Sequence, residues 1–190
     1  MTWLLTCDAH RKAIAEIEQT KSDRATVIVA TSVVEKDLVK AIEIRMVPDA
    51  HETSMLFKHS GPLGPFEAKV HLAYLMGMID GPLRDDLMRI GDIRNRFAHQ
   101  VEPLRFNSHA IHALCDALMI VDAPAYPEIP DAGLPAERRR PARLPADATP
   151  RARFIQATKL FLIALWRIDH ASSSGTWQDG AWMPDAEGNR

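Results

Sequence analysis

Five apolar residues, Leu83, Leu87, Ile90, Ile93 and Phe97, recur at steps of three and four. That spacing is the period of an α-helix, and it commits 83–99 to one helix with a single inward stripe. A helix turns about 100° per residue, given roughly 3.6 residues per turn. Asn95 and His99 therefore share a face with Asp85 and Asp92, while Arg94 falls among Leu87, Ile90 and Phe97. A guanidinium on an apolar stripe must snorkel or find a partner, because an unpaired buried charge is costly. A histidine in the last turn sits at the favourable end of the helix dipole. The ordinary reading of Arg94 and His99 is therefore structural.

The same period extends over most of the chain. Residues 10–19 form a short helix with Ile14 and Ile17 inward, and Ser22 and Asp23 cap a longer one. Ala30, Val33, Val34, Leu38, Ala41 and Ile42 carry that helix from Arg24 to Met46. The β-branched run Thr26-Val27-Ile28-Val29 also suits a strand over 26–34, but the length of the periodic stretch favours helix. Pro48 and Asp49 end it. Between Leu56 and Phe66, Gly61-Pro62-Leu63-Gly64 followed by Pro65 reads as a specific turn. Pro65 suits the first turn of the next helix, Phe66 to Met78, whose stripe is Phe66, Val70, Ala73, Tyr74 and Gly77. The small residues Ala73 and Gly77 would let another helix approach there. Asp80-Gly81-Pro82 makes the turn into the 83–99 helix. Ile111, Leu114, Cys115, Leu118, Met119 and Val121 mark one more helix over 108–122.

Residues 123–150 break the pattern. Prolines run from Pro124 to Pro150 around the basic run Arg138-Arg139-Arg140, so neither one helix nor a central strand fits. Arg151 to Ile168 is a last helix, and its run Leu160 to Trp166 is apolar nearly all round, as in a helix buried on more than one side. The expected fold is a single all-α, bundle-like domain of five to seven helices. Residues 1–122 form its core, 123–150 a Pro-rich loop or linker, and 151–168 an apolar helix docking on the core or on a partner. Residues 169–190 form a loose tail. A two-fold homodimer would cover the apolar face of that last helix.

The net charge of −2 gives no general pull toward DNA or RNA. Cys7 and Cys115 are expected as thiols, and neither they nor the eight histidines fall at metal-ligand spacings. No metal and no cofactor is expected. Met1 to Cys7 carries no basic region, so no signal peptide is expected. No apolar run reaches the ~18 residues that span a bilayer, so a cytoplasmic protein that does not enter membranes is expected.

Ser22-Asp23-Arg24, the helix with Glu35 and Leu38, Gly61-Pro62-Leu63-Gly64, Phe66-Glu67-Ala68-Lys69, Ala73-Tyr74-Leu75-Met76-Gly77 and Ile93 to His99 stand in one order over residues 20–122. Together they resemble the mannitol operon repressor family, of which this chain looks like a diverged member. The resemblance implies an all-helical fold, a homodimer and a part in regulating transcription. It implies no recognised helix-turn-helix, and none is legible here. Direct DNA binding is therefore not expected, and regulation through a protein partner is. A looser likeness links the Arg94 to His99 helix to HEPN ribonuclease domains, whose motif is an arginine, four to six residues, then a histidine. That alternative implies metal-independent RNA cleavage, with His99 in acid–base chemistry and Arg94 and Asn95 beside it. Asp85 and Asp92 on the face of His99 oppose phosphate binding.

One further reading comes from the residues alone. Lys69 and Arg94 lie beside apolar residues and need acceptors, and Glu35 sits on a neighbouring helix. We therefore expect a structural polar junction of Glu35, Lys69, Arg94 and Tyr74.

Overall fold

The computed structural model describes residues 8–122, 144–172, 175–178 and 181–184. Seven α-helices follow in order: α1 (Asp8–Gln19), α2 (Asp23–Glu43), α3 (Ala50–Phe57), α4 (Phe66–Leu75), α5 (Gly81–His99), α6 (His109–Asp116) and α7 (Pro150–Ser172). A 3₁₀ turn, Met119–Val121, follows α6, and β1 (Gly175–Gln178) and β2 (Ala181–Pro184) follow α7. The body is the all-α bundle that the periodicity predicts.

α2 is the hub, packing on α1, α4, α5 and α7. The Ser22 hydroxyl accepts the Ala25 amide and starts it. Val27, Ala30, Val34, Leu38, Ala41 and Ile42 are buried along it, so the β-branched run is helical because its valines fill a core. The last helix, α7, lies along α2 and is buried from Phe154 to Leu165 except at Lys159. Its Phe154 stacks on Phe106, which stacks on Phe97, with centroids 5.4 and 5.6 Å apart. Two arginines in its first turn satisfy backbone carbonyls that helix ends leave orphaned. Arg151 donates to Ile17 O at 2.8 Å and Thr20 O at 2.6 Å, closing α1. Arg153 donates to the carbonyls of Cys115, Asp116 and Leu118 and to the Asp122 carboxylate, closing α6. α7 thus docks within its own chain. The case for a dimer that rested on an orphan apolar helix does not apply.

Four local expectations are corrected. The helix expected over 108–122 stops at Asp116, because Arg153 holds the carbonyls of Cys115, Asp116 and Leu118 and Asp86 holds the turn beyond. The helix expected over 66–78 stops at Leu75. Gly77 takes φ +67°, and Met78 N returns to Ala73 O at 3.0 Å, a left-handed helix stop, so Gly77 is no helix-contact residue. The close approach of α4 and α5 is at Gly91 instead, where a Cβ would lie 3.0 Å from the Phe66 ring. Asp49 does more than terminate α2: its carboxylate accepts the His51 and Glu52 amides and starts α3, which the sequence reading lacked. In the tail, expected loose, β1 and β2 pair antiparallel with Trp177 opposite Trp182. The run Arg138-Arg139-Arg140 and most of the Pro-rich segment lie outside the described residues.

Asp86 is almost fully buried on α5. It accepts the Ile120 amide at 2.7 Å and Arg89 Nη1 at 2.7 Å. Burial pushes its carboxyl up from the usual range, against the opposing pull of the Ile120 and Met119 amides and Arg89. The folded form therefore holds the proton more tightly than the unfolded chain. Its stabilising contribution is full below the ordinary carboxylate range and is lost as pH rises through the raised folded value. Asp86→Asn keeps an acceptor for the Ile120 amide and removes this titration. Urea unfolding at about pH 4 and about pH 7 should show the variant gaining on the unsubstituted protein at the higher pH. A difference that stays constant with pH would contradict this account of Asp86.

Candidate functional site

Lys69 stands one turn into α4, on the side that meets α2, and is 4% exposed. Its ammonium donates to Glu35 Oε1 on α2 at 2.5 Å and to Gly64 O at 2.7 Å. One cation thus ties α2, the glycine turn and α4 together. The turn itself is backbone-built: Gly61 N donates to Lys58 O, Leu63 N to Leu56 O and Gly64 N to Gly61 O. A Cβ on Gly61 would strike the Leu56 and Met55 carbonyls, and one on Gly64 the His59 and Lys58 carbonyls, so both positions need glycine. Pro62 is exposed and Leu63 half-buried.

The structure brings Glu35 and Lys69 together and adds Gly64 to them. Arg94 and Tyr74 have other partners. Arg94 donates to Asn95 Oδ1 at 2.9 Å, and Asn95 Nδ2 donates to Glu67 Oε1 on α4 at 3.2 Å. Tyr74, 38% exposed, lies under the Arg84 guanidinium, 4.6 Å from ring centroid to Cζ. His99 is exposed at the end of α5. Five residues along a helix separate Arg94 and His99 by about 140° around the axis and about 7.5 Å along it. Within one chain they do not form an acid–base pair around a common point.

Beyond the Lys69 junction lies a feature the sequence reading missed. α3 buries none of its residues. A cleft of about 750 Å³ opens between it and the end of α2, floored by Ile44, Val47, Pro48 and Phe57. A second hollow of about 460 Å³ runs on past Val39 to Glu35 and Lys69. The two share Lys40, Glu43 and Phe57, making one open trough. The missed signal was Asp49, a strong helix cap, followed by Met55, Leu56 and Phe57.

Other reactive groups are confined. The Cys115 thiol is buried and pushed up to about 12, chiefly by that burial, which leaves it inert. Among the described residues no cluster of histidine, cysteine and carboxylates has the makings of a metal site. No described helix is long and apolar enough to cross a membrane.

No family model matches the chain, and no curated protein matches it in sequence. Its fold matches two solved structures. One is the MtlR–HPr complex from Escherichia coli, at 19% identity and a TM-score of 0.51, covering 85% of this chain and 96% of that one. The other is YggD from Shigella flexneri, described as a possible transcriptional regulator, at 15% identity and a TM-score of 0.53, covering 84% of this chain and 96% of that one. At such identities the likeness establishes the fold.

The junction is testable by a double-mutant cycle. Lys69→Met and Glu35→Gln should each cost about 1–3 kcal/mol in urea unfolding, less than a fully buried pair because Glu35 is 28% exposed. Their coupling should be at least about 0.5 kcal/mol, and additive near-zero losses would contradict the junction. Gly64→Ala should cost about 1–3 kcal/mol, since the carbonyls it strikes are backbone atoms.

Proposed function

We propose that this chain is a regulator of the mannitol operon repressor type that acts by binding a protein partner. The observation that carries the reading is the open trough beside α3, whose apolar residues Ile44, Val47, Pro48 and Phe57 are half-exposed or exposed. The two similar folds support it: one was solved as a complex of MtlR with HPr, and the other is described as a possible regulator. Reading a duplex directly fits less well. The short helices α3 and α6 contain no lysine or arginine, so neither is equipped for a phosphate-lined major groove.

The ribonuclease alternative through Arg94, Asn95 and His99 draws no support from the geometry. Arg94 is engaged with Asn95, and His99 points to another side of α5.

Two measurements decide between these readings. A partner protein should co-purify at fixed stoichiometry after nuclease treatment, while duplex binding stays weak even at low salt. Retention of neither would end the regulator reading, and tight duplex binding that falls steeply with salt would replace it with direct readout. Pure protein should leave single-stranded RNA intact. Cleavage that disappears in His99→Ala would make the chain a ribonuclease.

A further inference from the structure

The trough has a definite chemistry. Its floor is apolar, with Val39 from α2, Ile44 at its C-cap, Val47 from the link and Phe57 from α3. Val47 is 57% exposed and Met55, on α3, 45%. Its acids are largely committed: Glu35 holds Lys69, and Asp49 holds the first amides of α3, which leaves Glu43. Two of its cations lie at the rim. Lys36 on one wall and Lys58 on the other bond to no carboxylate among the described residues; Lys58 Nζ only reaches Met55 Sδ at 3.3 Å. From Glu35 to Ile44 the trough follows α2 for about 14 Å, two to three helical turns. It is too open to enclose a small molecule as ligand pockets do.

We infer that this trough is a docking groove for an amphipathic helix of a partner protein, one whose apolar stripe is flanked by carboxylates. The inference rests on the partner-binding reading above and deepens it. Apolar side chains at i, i+3 or i+4, and i+7 would seat over Val39, Ile44, Val47 and Phe57, the spacing that helix-in-groove recognition uses. Carboxylates on either side would meet Lys36 and Lys58. The Lys69 junction fixes the inner end of the groove, and Asp49 fixes the start of the outer wall.

The probe is a labelled 14-residue helical peptide with leucines on one stripe and glutamates flanking it, set against an otherwise identical peptide with lysines. Fluorescence anisotropy with the full chain should show the glutamate peptide binding about tenfold more tightly at low salt. Lys36→Glu with Lys58→Glu should reverse that preference. Val47→Glu should abolish binding of both peptides. All three positions are exposed, so circular dichroism and thermal melting should not change. Equal binding of the two peptides, or binding indifferent to these variants, overturns the groove. A concentration-dependent dimer that Val47→Glu dissolves also overturns it, by making a second copy the occupant. If a co-purifying partner is retained equally by these variants, the partner-binding reading stands and the groove assignment falls.

Discussion

The buried ammonium of Lys69 is the interaction on which the candidate surface depends. A charge this deep must have its hydrogen bonds met, and two acceptors, Glu35 Oε1 and Gly64 O, meet them from different parts of the chain. That requirement fixes where the glycine turn sits against α2. The turn in turn ends the chain segment that carries α3, which has no buried residue to anchor it. A helix held only by its ends, above an apolar floor, is what leaves the trough open.

The rest of the bundle serves as the rigid support. α2 is central, and α7 is inserted beside it like a core strut, its first turn caught by the carbonyls at the ends of α1 and α6. The Arg151 contacts couple α7 to α1 across more than a hundred residues. Asp86 and Arg153 hold the connection after α6 from two sides, which explains why an apolar stretch that could have stayed helical turns aside at Asp116.

The sequence disclosed the elements whose burial is one-sided and periodic. The α5 stripe, the long α2 and the near-continuous apolar α7 were legible because their core faces repeat at 3.6 residues. The all-round apolarity of α7 correctly signalled burial on several sides. What failed was what depends on single polar atoms. Arg153 and Asp86 decide where α6 stops, and neither is visible in a hydropathy pattern. Gly77 looked like a packing residue because its spacing suited one, yet its positive φ makes it a stop. α3 went unseen because it buries no residue and only Phe57 at its end packs against the core, too little for a periodic stripe. At the site, Lys69 was legible as a cation needing an acceptor, Glu35 as that acceptor and the glycine turn from its glycines and prolines. Arg94 and Tyr74 were equally plausible on that ground, and geometry gave them Asn95 and Arg84 instead.

The central claim is that Lys69 locally positions the turn and the α3 wall, while the bundle stands without it. Amide hydrogen exchange of Lys69→Met against the unsubstituted protein tests this most directly. The account predicts the largest acceleration in residues 58–64 and α3, with α7 and the centre of α2 speeding up by no more than the loss of global stability of about 1–3 kcal/mol requires. Exchange that rises evenly through the bundle, or does not change at 58–64, would contradict it.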